Sequence, residues 1–384
     1  MNPVFAATGT SIFARMSALA AEHGAVNLGQ GFPDFGWPDD VLDVAADAIR
    51  NGSNQYAPMR GLPELRDAVA AHYLAHQGLD VSADAVTVTS GATEAIAAAL
   101  LSLVSPGDAV VLFQPLYDSY LPIVRAAGGV PRLVRLAPPD WRITEEALAE
   151  VFGKDTRVVV FNNPHNPSSR MFSEAEVALV ARFCIDHDAI AVADEVWEHV
   201  VLAGRRHLPL SAVPGMAERT IKIGSAGKIF SLTGWKVGWA IAPGGLTSAF
   251  AGAHQYLTFA TAPNLQQAVA YGLGKEMPYF EEMRAAFTEA RDRLAGGLEQ
   301  AGFAVLPAEG SYFLSIDLAA SGVAADDAAF CDHAVRECGV AAIPVGAFYE
   351  EDPVTSVVRL CFAKREETLA KGIAGLQQAR AFFR

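Results

Sequence analysis

Residues 224–236 hold the residue types best suited to chemistry. Two lysines, Lys228 and Lys236, share the stretch with three hydroxyls (Ser225, Ser231, Thr233) and three glycines (Gly224, Gly227, Gly234). Glycines let backbone N–H groups approach an anion closely, and the lysines and hydroxyls add donors to it. A lysine held beside that anion can bond covalently to a carbonyl on the same ligand. The apolar runs on either side read as strand, tight loop, strand. A basic surface loop fits the same residues, and the stretch alone leaves both readings open.

The elements that position this loop follow a repeating pattern. Residues 86–89, 109–113, 131–136, 157–161, 189–193, 220–223 and 236–242 read as strands. Helical segments at 93–104, 119–127, 144–152 and 173–187 lie between them, the last with Ser173 as N-cap. Apolar strands alternating with helices predict a mainly parallel sheet covered on both faces, with ligands at the carboxyl ends of its strands. Gly91-Ala92-Thr93, Tyr117, Asn166, Asp194 and the segment from Ser225 to Lys228 all fall at such ends. Helices are expected at 13–23, 39–50 and 62–76, and residues 247–300 are helical with breaks near Pro263 and Pro278. After Gly302 the pattern becomes α+β, with strands at 303–306, 311–316, 340–343 and 357–362, a helix at 326–338 and a last helix from 365. The expected division is a lead-in, residues 1–45, packing with the small domain; a large domain, 46–285; and a small C-terminal α+β domain, 286–384.

The 384 residues are 51% hydrophobic and 19% charged, ordinary for a globular chain with a large core. A formal net charge of -14 argues against general affinity for nucleic acid or anionic membranes, so an anionic ligand needs a local cationic pocket. The four cysteines, Cys184, Cys331, Cys338 and Cys361, show no zinc spacing and read as reduced thiols of a cytoplasmic protein. His165, His199 and His254 lack metal spacing as well, and no metal is expected. Met1 to Met16 lacks the pattern of a secretory signal, and no run of about 18 apolar residues exists to span a membrane.

Taken in order, Asn27-Leu28-Gly29-Gln30-Gly31-Phe32-Pro33-Asp34, Asn163-Pro164-His165-Asn166-Pro167, Asp194-Glu195-Val196, Ser225-Ala226-Gly227-Lys228 and Arg359-Leu360-Cys361-Phe362 resemble the motifs of fold-type I pyridoxal-phosphate (PLP) enzymes, the class I/II aminotransferases. Within that group the chain is most similar to the kynurenine, glutamine and methionine branch. The resemblance covers nearly the whole chain and implies the PLP-dependent transferase fold, with a mainly parallel seven-stranded sheet, helices on both faces and a smaller α+β domain.

It also implies roles. Lys228 would hold PLP covalently and then act as the base at the substrate α-carbon. Asp194 would keep the ring nitrogen protonated. Asn166 would donate to the ring hydroxyl, and Tyr117 would stack on the ring. The backbone of Ala92 and Thr93 at a helix N-terminus, with Ser225 and Lys236, would form the phosphate cup. Tyr56 would reach that phosphate from the other subunit of a homodimer. Arg359 would grip the substrate carboxylate, helped by Asn166 and Gly31, and Phe13 would line a pocket for an apolar or aromatic side chain. The sequence departs from the family where Trp197 stands for a tyrosine that usually contacts the ring oxygen; indole offers one donor and no acceptor. Ser169 stands for a turn glycine.

The implied activity is transfer of an amino group from an L-amino acid of methionine, glutamine, aromatic or kynurenine type to a 2-oxo acid, by a ping-pong mechanism. A carbon–sulfur β-lyase on the same scaffold is the alternative, and a non-enzymatic PLP-binding regulator a more distant one.

Overall fold

The computed structural model describes residues 1–7, 9–202 and 204–384. The chain opens with two helices, α1 (Pro3–Ala7) and α2 (Ile12–Glu22), and a short strand, β1 (Val26–Asn27). Helices α3 (Asp39–Asn51) and α4 (Pro63–Gln77) follow, α4 opening on a proline in its first turn and closing on Gly78 in the left-handed conformation.

From there strands and helices alternate: β2 (Val86–Thr89), α5 (Gly91–Leu103), β3 (Ala109–Gln114), α6 (Tyr120–Ala126), β4 (Val130–Arg135), α7 (Glu145–Val151), β5 (Thr156–Asn162), α8 (Glu174–Asp186), β6 (Ile190–Asp194), β7 (Thr220–Ser225), the single turn α9 (Ala226–Ile229) and β8 (Gly238–Ile241). Helix α8 starts on a full capping box between Ser173 and Glu176. The strands form one seven-stranded sheet in the order β2-β8-β7-β6-β5-β3-β4, with β8 alone antiparallel to its neighbours. Strands β2, β3, β6 and β7 are buried almost throughout, as a sheet covered on both faces requires, and β3 and β6 are also largely apolar.

Helices α10 (Gly244–Leu257), α11 (Pro263–Leu273) and α12 (Met277–Gln300) lead to β9 (Ala304–Val305), β10 (Phe313–Asp317), α13 (Asp327–Glu337), β11 (Val340–Ala341), β12 (Ile343–Pro344), β13 (Val357–Cys361) and α14 (Glu366–Phe382). Here the sheet is antiparallel, in the order β12-β13-β10-β9, and β1 pairs in parallel with β11. The lead-in is thus stitched to the C-terminal part by backbone hydrogen bonds. The expected boundaries at 45/46 and 285/286 fall inside the continuous helices α3 and α12. The expected strand at 340–343 is two short strands, and the loop at Lys228 contains a helical turn where the sequence suggested plain loop. No helix among the described residues is long and apolar enough to cross a membrane.

Candidate active site

Six strands of the large sheet point the same way, so their carboxyl ends share one edge. Strand β8 runs oppositely and brings its beginning, near Lys236, to that edge. A cavity of about 160 Å³ opens there, with walls drawn from each of these ends except that of β4: Ala92, Tyr117, Asn166, Asp194, Lys228 and Lys236 among them. Thr93, Trp197 and Ser225 line it as well. Gly238 makes the assembly possible, since a Cβ on it would lie 2.9 Å from the Gly91 carbonyl carbon.

Lys228 sits on α9, half-buried, with its Nζ donating to the Tyr312 hydroxyl at 3.2 Å. That hydroxyl donates onward to the Gly31 carbonyl at 3.0 Å. The amine lies 4.6 Å from the centre of the Trp197 ring. Burial, aided by the charges of Arg359 and Lys236, lowers its pKa to about 8. An amine so placed is partly free of its proton near neutral pH, which both a nucleophile and a base need.

Asp194 ends β6 and is almost fully buried. Burial raises its carboxyl pKa, while a hydrogen bond from the Tyr120 hydroxyl, the Val196 N–H and the Lys228 charge oppose that rise. Asn162 donates its side-chain amide to the Asp194 carbonyl at 2.8 Å, tying β5 to β6 beneath the cavity. The Tyr117 ring packs edge-on against Tyr120, with its hydroxyl 3.4 Å from Thr93 Oγ1.

The α5 end of the cavity is built for an anion. Gly91, Ala92 and Thr93 form the first turn of a 13-residue helix, whose free N–H groups and dipole favour negative charge. Gly91 has φ 73°, and a Cβ on it would lie 3.3 Å from Lys236 Nζ, so the glycine leaves room for that ammonium. Lys236 itself holds a left-handed backbone, φ 54°.

Arg359, on β13, is wholly buried. It donates to Asn166 Oδ1 at 2.9 Å and to the Gly29 carbonyl at 2.8 Å, and its Nε has no partner among the described residues. Its guanidinium lies 3.8 Å from the centre of the Phe313 ring and 5.1 Å from that of Phe13. Burial lowers its pKa to about 9, so it stays charged at neutral pH. A buried guanidinium with a spare donor and aromatic walls suits a carboxylate attached to an apolar group.

Most residues singled out in the sequence therefore converge. Phe13 and Gly31 sit beside Arg359 and Tyr312 and do not line the cavity itself. Tyr56 is not brought in: it is 88% exposed and meets only the Phe259 ring edge. Trp197 is buried edge-to-face on Tyr312, ring centres 4.4 Å apart, and its N–H makes no hydrogen bond among the described residues. Ser169 keeps a left-handed turn at φ 60°, with its hydroxyl 3.0 Å from that of Ser311. Sequence reasoning missed Tyr120 and Tyr312, which carry no motif. It also missed a buried ion cluster just past Asp194, where Lys222 pairs with Glu195 and with Glu198, the latter at 2.6 Å.

Comparison with known proteins identifies the family. The family model for aminotransferase class I and II matches residues 23–376. The chain is 39% identical to methionine aminotransferase of Escherichia coli over 371 residues, covering 96% of both chains. It is 43% identical to a probable N-succinyldiaminopimelate aminotransferase of Mycobacterium tuberculosis, covering 96% of this chain and 95% of that protein. The solved structure of N-succinyldiaminopimelate aminotransferase from M. tuberculosis superposes with a TM-score of 0.93 at 44% identity, covering 97% of each chain.

Proposed function

The chain belongs to the class I and II aminotransferases, and from that premise we propose how its own residues carry out the transfer. The protein is a PLP-dependent enzyme that moves the amino group of an L-amino acid to a 2-oxo acid. The residues present fit that cofactor: a lysine amine and a buried carboxylate face one cavity, and a glycine-opened helix N-terminus beside Lys236 suits its phosphate. When bound, the cofactor supplies an aldehyde that takes up the amino group and a ring that accepts electrons from the α-carbon.

Lys228 holds the aldehyde and takes and returns the proton at the substrate α-carbon. Asp194 holds the proton on the ring nitrogen, and Tyr120 orients that carboxylate. The N–H groups of Ala92 and Thr93, with Ser225 and Lys236, bind the phosphate. Tyr117 stacks on the ring. Asn166 spends its carbonyl oxygen on Arg359, which leaves its amide N–H to donate to the ring hydroxyl. Trp197 packs beneath the Lys228 amine and shields it from water. Arg359 binds the substrate carboxylate, with Asn166 and the backbone near Gly31 beside it.

The donor carries an uncharged, apolar or aromatic side chain, of the methionine, glutamine, aromatic or kynurenine type. Support comes from the rings of Phe13, Phe313 and Phe348 around Arg359. In the same reading residues 46–285 form the cofactor lobe, residues 286–384 the smaller lobe and residues 1–45 a lead-in packing with it, α3 and α12 crossing the divisions. The enzyme works in the cytoplasm as a homodimer, Tyr56 of each subunit reaching the phosphate bound in the other. The exposure of Tyr56, of Phe259 against it and of Tyr256 supports that interface.

One observation carries the proposal: the Lys228 amine shares one cavity with Asp194 and the α5 N-terminus. The test is a screen of amino-acid donors against several 2-oxo acids, including N-succinyldiaminopimelate and a cysteine conjugate. Transfer from apolar or aromatic donors, lost in Lys228→Ala, is expected. Pyruvate released from the conjugate without an acceptor would instead identify a lyase, and preference for N-succinyldiaminopimelate would overturn the donor class.

A further inference from the structure

A second opening lies outside the Lys228 cavity and shares no wall residue with it. His76 and His199 face it, and His72 sits directly behind them. His72 and His76 are four residues apart on α4, which puts both imidazoles on one face of the helix. Their rings stack with centres 4.1 Å apart. His199 comes from the loop after β6 and places its Nε2 2.9 Å from His72 Nε2. One ring nitrogen from each of the three lies within 4.8 Å of the others.

We propose that His72, His76 and His199 form a site for one divalent transition-metal ion of the zinc class, with water from the opening as fourth ligand. Zinc–nitrogen bonds of about 2.0–2.1 Å in a tetrahedron place ligand nitrogens about 3.3 Å apart, so the three nitrogens draw together and the half-exposed His76 ring turns out of its stack on His72 to complete the site. His72 is already oriented: its Nδ1 lies 3.1 Å from the Leu273 carbonyl and donates to it, leaving the Nε2 lone pair facing His199 Nε2. A backbone carbonyl behind a ligating imidazole is the usual means of fixing its tautomer. His199 now donates its Nε2 proton to His72; binding moves that proton to His199 Nδ1 or to solvent. Neither ring nitrogen of His76 has a hydrogen-bond partner among the described residues.

The surrounding charges do not repel a dication. Lys222, Arg205, Arg206 and Arg284 are matched in number by Glu195, Glu198, Glu281 and Glu309. Imidazole donors select zinc, cobalt, nickel or copper over magnesium and calcium. The ion would clamp α4 to the loop that follows Asp194 and carries Trp197.

The test uses untagged holoenzyme freed of metal by a chelator, then titrated with cobalt(II). One ion per chain with the visible bands of four-coordinate cobalt, displaced by zinc, is the expected result, and zinc should raise the unfolding temperature. His76→Asn, at a partly exposed position, should fold normally and weaken binding at least about 10-fold, the loss seen on removing even a supporting partner. His187→Asn, elsewhere on the surface, should bind as the parent does. Absence of cobalt binding, a six-coordinate spectrum, or equal binding by His76→Asn would overturn the site. None of these readouts depends on the transamination proposed above.

Discussion

Burial of the Lys228 amine decides the pH range in which it can accept a proton. The group goes from neutral above about 8 to charged below it, whereas an exposed lysine changes near 10.5. In cofactor-free protein, labelling of Lys228 by an amine-specific reagent should therefore rise with pH and reach half its plateau near 8. A midpoint near that of the surface lysines would show that the pocket does not desolvate it. Tyr120 acts one residue back from the chemistry, through Asp194. A hydrogen bond to a charged group contributes about 1.5–3 kcal/mol, so Tyr120→Phe should lower kcat/KM by about 10- to 100-fold with the fold intact. An unchanged kcat/KM would remove Tyr120 from the working site.

At the scale of elements, the alternation of strands and helices was legible because the sheet is buried on both faces and most turns carry glycine or proline. The antiparallel course of β8 was not, since its apolar run looks the same in either direction. The helical turn under Lys228 spans one turn only, too short for any periodicity to register. Tyr120 and Tyr312 escaped because each acts across the fold, on partners 74 and 84 residues away. The Lys222 cluster escaped for a related reason: a lysine in a strand reads as exposed until its two carboxylates are seen.

That cluster ties β7 to the segment after β6, and it sets an acid limit. Burial alone would raise the Glu195 pKa from 4.5, but Lys222 and His207 outweigh it and hold it down to about 2. A carboxylate lowered in the folded state contributes stability above its unfolded pKa and loses it as pH falls. The urea midpoint should therefore drop between about pH 4.5 and 2, less steeply in Glu195→Gln. Lys222→Met leaves Glu198 without its cation and Glu195 with only His207, and should cost about 3–5 kcal/mol of stability at neutral pH. A loss below 1 kcal/mol in urea titration would mean that water reaches the cluster.

For the whole molecule, the proposed role of the exposed Tyr56 is open to a test with mixed subunits. If sites are shared, equal mixing of Tyr56→Ala and Lys228→Ala subunits yields hybrids in which one site holds both lesions and the other none. Random pairing makes half of all dimers hybrid, so activity should recover to about a quarter of the parental level. Recovery no greater than the average of the two parents would show that Tyr56 serves its own subunit or none.

Arg359 joins the lead-in at Gly29, the loop after β5 at Asn166 and the C-terminal strand β13, yet its contacts are to uncharged oxygens and aromatic faces. A cation enclosed in that way has a standing appetite for any small monoanion that can slip past the rings. Acetate, formate or chloride from a buffer should compete with the amino-acid donor, raising its apparent KM without touching kcat. Comparisons of donors made in different salts would then rank the salts as much as the donors.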